Sequence, residues 1–174
     1  MSVHGCMVTV SSIRGGTAPM CWMCDHPGST VDEWLAEIEK TKSKHGWAVQ
    51  YVESDRAPYA YTVGLHEHGL PELLVTGLPP EPTARLLNTV AAYLMDGGRP
   101  VPGEWISIAD GPMLAVVQVE HPDAHMNVAV AFYGRELHAL QLVWADERGH
   151  RPWCPEFSNG GVRQPVLGVR PDMT

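Results

Sequence analysis

Residues 59–82, YAYTVGLHEHGLPELLVTGLPPEP, hold two apolar runs, 59–65 and 72–78, on either side of the turn-forming His66-Glu67-His68-Gly69. Tyr61, Thr62 and Val63 in the first run, with Val75 and Thr76 in the second, are strand formers, because branched and aromatic side chains pack well on a pleated surface. Two such runs joined by a short connector containing glycine predict a β-hairpin. Gly64 and Gly77 stand near the ends of the runs, where a missing side chain permits a bulge or a close backbone approach. The stretch also gathers His66, His68 and Glu72 around one connection, without forming a motif of known mechanism.

On the N-terminal side, residues 47–53 alternate Trp47, Val49 and Tyr51 against Ala48, Gln50 and Val52, a first strand that turns into the hairpin over 54–58. Before it, Thr30-x-x-Glu33 is a capping box, and Val31, Trp34, Leu35 and Ile38 follow at the spacing of an amphipathic helix. Gly46 is the expected left-handed residue closing that helix. His45 then lies at the helix C-terminus, where the dipole favours its protonated form, a structural reason for the residue beside any catalytic one. Lys40, Lys42 and Lys44 read as the solvated face of the helix end. Residues 1–19 carry no sustained period and are predicted as a flexible tail, with Met20 a second place where translation could begin.

On the C-terminal side, Pro79, Pro80 and Pro82 break the sheet and start a second helix, lined on one face by Leu86, Leu87, Val90, Ala91 and Leu94 and ended by Gly97-Gly98. Strands at 104–109 and 113–120 flank the turn Asp110-Gly111-Pro112. Pro122-Asp123 opens a third helix carrying His125, Met126, Ala129, Val130 and Tyr133, closed by Gly134. The last long strand, 137–145, is continuously apolar, which predicts a central position covered on both faces. From His150 onward the chain is proline- and glycine-rich coil anchored by Trp153, Phe157, Val166 and Leu167. The order predicts one α+β domain over 20–174, with a mostly antiparallel sheet of about six strands and three helices.

Composition bounds the function. A chain of 174 residues is one domain's worth, and a net charge of −8 is repelled by nucleic-acid backbones and anionic membranes, which excludes both as main partners. No window approaches the length of a membrane span, and no apolar core follows a basic N-terminal region, so neither an anchor nor a Sec signal is expected. Four cysteines at this length do not make a disulfide scaffold; reduced thiols in the cytoplasm are the expectation.

Several separated blocks resemble the domain of unknown function family numbered 4262: His45-Gly46-Trp47, Ala60-Tyr61-Thr62-Val63-Gly64-Leu65, Leu70-Pro71-Glu72-Leu73 and Thr76-Gly77-Leu78-Pro79. So do Leu140-Gln141-Leu142-Val143-Trp144-Ala145-Asp146, Gly149, Pro152-Trp153 and Gln164-Pro165. The resemblance runs from His45 to Gly168 and implies a bacterial source but no activity. Residues 21–27 resemble an N-terminal extension, Cys-x-x-Cys-Asp-His-Pro, of a largely actinobacterial subset that begins at a methionine equivalent to Met20. After Pro152-Trp153 the family usually places an acid, whereas this chain has Cys154.

Three polar constellations compete as sites. Cys21-x-x-Cys24-x-His26 can hold a metal ion from one tight turn, and zinc would need a fourth ligand from Cys154 or His150. The alternatives for the cysteines are a redox dithiol, disfavoured because no strand is expected before Cys21, and plain packing. The second set surrounds the hairpin: His45, Tyr61, His66 and Glu72, with Asp146 from the last strand, the histidine and carboxylate apparatus of general acid–base work. The third is aromatic, Trp47, Tyr61, Trp144 and Trp153, read as core before pocket. No Gly-x-Ser-x-Gly, Walker loop or His-Glu-x-x-His is present, so those templates fail. Two functions follow: a small-ligand or partner-binding domain with a structural metal at the N-terminal cysteines, or an enzyme acting on a small metabolite through the hairpin cleft.

Overall fold

The computed structural model describes residues 7–10 and 26–170, and its first element is a strand, β1 (Met7–Val10). It pairs antiparallel with β2 (Ala48–Val52), so part of the stretch read as a flexible tail forms an edge of the sheet. Met7-Val8-Thr9-Val10 has strand-forming composition, but four residues are too few to display a period. Between them lies helix α1 (Val31–His45), whose two reciprocal capping bonds run between Thr30 and Glu33 and whose end is closed by Gly46 at φ 91°. Both caps stand where the sequence put them.

The hairpin forms as β3 (Tyr59–Val63) and β4 (Glu72–Thr76), antiparallel, around a 3-10 turn over Leu65–His68. Gly64 sits at φ 131° and Gly77 at φ 83°, conformations in which a side chain strains the backbone. A Cβ on Gly64 would stand 2.8 Å from the Gly46 carbonyl oxygen, and one on Gly77 would stand 2.8 Å from that of Arg163. Helix α2 (Pro80–Met95) opens on its prolines, because a first-turn N–H has no partner to lose. Then come β5 (Trp105–Ser107) and β6 (Met113–Gln118), shorter than expected. The third helix is divided: a 3-10 turn over Pro122–Ala124 precedes α3 (Asn127–Tyr133), and strand β7 (Ala139–Trp144) follows.

The strands form one sheet in the order β1-β2-β3-β4-β7-β6-β5. Only β4 and β7 run parallel, so the sheet is mixed but mostly antiparallel, an α+β arrangement with three helices. All six residues of β7 are buried, the central position its composition predicts. Strand alternation sends Leu73, Val75, Leu140 and Leu142 to the face covered by α2, through Leu87, Val90 and Ala91. Tyr61, Val63 and Leu74 point the other way, against Trp34 and Ile38 of α1 and Val128 and Ala129 of α3.

The far end of that second face is closed by coil. Gln141 is fully buried; its amide donates to the Pro165 carbonyl (2.7 Å) and its oxygen accepts from the Leu167 N–H (2.7 Å). Gln164 pairs both ways with the backbone of Trp144, acting as one rung of an added strand. These amides therefore have structural partners, and they fasten the C-terminal coil to the end of β7. No helix among the described residues is long and apolar enough to cross a membrane.

Candidate functional site

Glu72, the first residue of β4, is fully buried. Its Oε2 accepts from the Thr62 hydroxyl at 2.6 Å, and its Oε1 accepts from the N–H groups of Gly64 (2.9 Å) and His66 (3.1 Å). Burial pushes its carboxyl up to about 7, against these donors, which pull it down. Tyr61 is equally buried; its hydroxyl accepts from the Val128 N–H, and burial pushes its pKa up, so the phenol holds its proton more tightly than usual. Neither side chain presents an atom to solvent. The carboxylate of Glu72 instead shapes the 3-10 turn, whose N–H groups would otherwise be unsatisfied in the core.

Over that turn lies a charged cluster that charge patterning alone misreads. Lys42, expected on a solvated face, has a side chain only 2% exposed; its ammonium donates to Glu67 (2.6 Å) and Glu39 (2.8 Å) and sits 4.0 Å over the Phe132 ring. It falls four residues after Ile38, on the stripe that α1 buries, and that position decides its fate. Burial alone would lower its proton affinity, but the bonds to Glu39 and Glu67 hold it above the ordinary lysine value. Tyr133 donates its hydroxyl to Glu67 (2.8 Å), and its ring lies tilted by 31° against the half-buried imidazole of His66, centroids 4.7 Å apart. His45, the last residue of α1, is exposed. The hairpin end thus brings together Glu72, His66, Glu67, Lys42 and Tyr133.

Asp146 is not part of this group. β7 runs parallel to β4 with Ala139 beside Glu72, so Trp144, five residues on, lies about 16 Å further along the sheet, and Asp146 is beyond it. There Asp146 accepts from the N–H groups of Arg148 (2.9 Å), His150 (2.8 Å) and Ser158 (3.1 Å), folding the loop after β7. Burial would raise its carboxyl, but these donors hold it below the usual range. His150 Nδ1 stands 3.5 Å from Asp146 Oδ2 and has no hydrogen-bond partner among the described residues. Cys154 is a free thiol that donates to Glu156 (2.8 Å), whose carboxylate pushes the thiol's pKa up. His26 is exposed, and Cys21 and Cys24 lie outside the described residues, so the expected metal set is represented here only by its histidines and Cys154. Among the described residues no group of three or more His, Cys, Asp or Glu could hold a metal.

A cleft of about 620 Å³ opens where the β5–β6 turn and the end of β7 meet α2. Pro82, Arg85, Leu86 and Thr89 of α2 form one wall, the β5–β6 turn from Ile108 to Pro112 forms the other, and Leu78 and Trp144 form the remainder. The Trp144 indole N–H donates to the Thr76 carbonyl (2.9 Å), and its ring packs at 56° against Phe157. What Trp144 offers the cleft is therefore hydrocarbon. Arg85 is the only cation and Asp110 the only acid of this lining. Asp110 holds φ 55°, a left-handed conformation uncommon outside glycine. Trp144 was in the aromatic set read as core, and it is also a cleft residue. Arg85, Thr89 and Asp110 carry no motif, and only a turn signal marked the last of them.

Residues 42–158 match the family model described as Domain of unknown function (DUF4262). The chain belongs to the DUF4262 family. No curated protein and no solved structure matches it. The matched span of the DUF4262 domain takes in the hairpin, Glu72, α2, β7, Asp146 and every lining residue of the cleft. It leaves out Cys21, Cys24 and His26, as well as Gln164, which ties the coil to β7. The blocks that carried the resemblance have structural work in this DUF4262 domain. Gly64 and Gly77 allow backbones to meet, Glu72 gathers turn amides, and Asp146 folds a loop.

Proposed function

We propose that this DUF4262 domain is a small-ligand-binding protein whose ligand occupies the cleft between α2 and the β5–β6 turn. The observation that carries the reading is the cleft's construction: about 620 Å³ with walls of Leu78, Leu86, Ile108 and Trp144, and charge confined to Arg85 and Asp110. Ligand sites are typically of about 300–1,000 Å³, mostly apolar, with few polar groups fixing orientation. Binding is favoured over catalysis because Tyr61 and Glu72, the interior members of the acid–base set, are wholly buried with their oxygens hydrogen-bonded. Thermal-shift screening of a metabolite and fragment library tests this, with Thr89→Trp as the control, since Thr89 is exposed on α2 and a bulky ring there covers the cleft. Hits that stabilise the parent and lose their effect in Thr89→Trp are expected; hits unaffected by that substitution would overturn the assignment.

A structural zinc at Cys21 and Cys24, with His26 and either Cys154 or His150, remains part of the proposal. Its support is the ligand spacing in sequence together with the buried His150 Nδ1, which has no hydrogen-bond partner among the described residues, and the free Cys154 thiol. A cytoplasmic setting suits those thiols, and the net charge of −8 argues against nucleic acid as a partner.

A further inference from the structure

We infer that the cleft selects a hydrophobic monocarboxylate, an inference that rests on the ligand-binding reading and adds the ligand's chemical class. Three features of the lining converge on it. Most of the walls' side chains are apolar: Leu78, Leu86 and Ile108 are aliphatic, and the one nitrogen of the Trp144 side chain is already donating to Thr76. A ligand body seated there must be apolar, since a buried polar group without a partner is penalised.

The second feature is Arg85 at the rim. Its guanidinium faces Glu81 across 4.0 Å, and both side chains are largely exposed, at 71% and 84%. An exposed pair that long contributes almost nothing. A planar guanidinium in this state is ready to exchange a weak partner for a carboxylate that takes two parallel N–H donors. The third feature is Asp110 on the opposite wall. Its charge repels a second acid on the same ligand, so dicarboxylates and phosphate esters are disfavoured while a single carboxylate can turn away from it towards Arg85. Thr89 adds no competing donor, because its hydroxyl already donates to the Arg85 carbonyl at 2.8 Å.

The probe is 1-naphthylacetate, with 1-naphthaleneethanol as its neutral isostere, titrated into the full-length protein by calorimetry and by two-dimensional amide NMR. The expected result is that naphthylacetate binds more tightly than the alcohol and shifts amides of Leu86, Thr89 and Ile108. Arg85→Gln should weaken the acid by about five- to tenfold, the range of a charge-assisted bond at a rim, while leaving the alcohol unchanged. Arg85→Lys should restore only part of the loss, because an ammonium lacks the bidentate fork. Arg85 is exposed, so these variants fold. If acid and alcohol bind the cleft equally and Arg85→Gln affects neither, the carboxylate class is overturned while the ligand-binding reading stands. If neither probe shifts those amides, the class is overturned as well; the binding reading falls separately, through a library screen whose hits ignore Thr89→Trp.

Discussion

The carboxyl of Glu72 makes stability depend on pH in a direction opposite to most acids. In the folded chain it titrates near 7, against 4.5 for an ordinary glutamate, because burial outweighs the donors of Thr62, Gly64 and His66. Between those values the folded protein holds a proton that the unfolded chain has released, so stability falls as pH rises. The contribution is fully present below 4.5 and lost by the time pH passes about 7. At about 1.4 kcal/mol per unit the loss amounts to roughly 3 kcal/mol, or about 6–12 °C of melting temperature for a chain this long. Glu72→Gln removes the titration while keeping the size. Its amide nitrogen displaces one acceptor from the Thr62 hydroxyl, at a cost of about 1–2 kcal/mol that does not vary with pH. Urea unfolding followed by tryptophan fluorescence at pH 5 and pH 8 should show the parent losing stability relative to Glu72→Gln across that interval. Parallel profiles for the two proteins would refute the reasoning and show Glu72 ionised throughout, stabilised as an anion by the turn amides.

Other outcomes follow from close contacts and buried charge. Gly64→Val and Gly77→Val should each cost more than about 2 kcal/mol or abolish soluble expression, since the added Cβ meets a carbonyl oxygen at 2.8 Å at both positions. Gly69→Ala, also left-handed at φ 70° but facing open space, should cost only about 1 kcal/mol in chemical denaturation. Lys42→Met keeps the stem under Phe132 and releases Glu39 and Glu67, both about half exposed, to water, so a loss near 1 kcal/mol is expected. A much larger loss would mean that the acids cannot rehydrate. If zinc is bound, Cys24→Ser lowers both metal content by elemental analysis and melting temperature, while Cys6→Ser changes neither, and occupancy falls on acidification because thiolates must form. Well under one equivalent of metal in protein purified without chelators would leave the cysteines as packing residues.

Much of the fold was legible because its signals are local. The Thr30/Glu33 capping box, the Gly46 cap, the proline-opened α2 and the hairpin each depend on residues within one or two turns of each other. Strand β1 was not, since four residues show no period. The division of the third helix was missed too: apolar spacing ran through His125 and Met126, but the chain after Pro122 closes a 3-10 turn first. Lys42 shows one signal overruling another. Its charge placed it on a solvated face, whereas its position four residues after Ile38 puts it on the stripe that α1 buries, where Glu39 and Glu67 meet the ammonium. The cleft was illegible for a topological reason. Its residues come from three separate segments, and they meet only because β7 enters the sheet parallel to β4 and carries Trp144 beside the start of α2. Pairing within the hairpin could be read from the sequence; the crossover that sets β7 next to β4 could not.

The most direct measurement is an amide chemical-shift map of the protein titrated with its best-binding small molecule. Shifts concentrated on residues 78–89, 108–112 and Trp144 are what the cleft assignment predicts. Shifts concentrated instead on His66, Glu67, Glu72 and Tyr133 would contradict it and return the function to the turn of the β3–β4 hairpin.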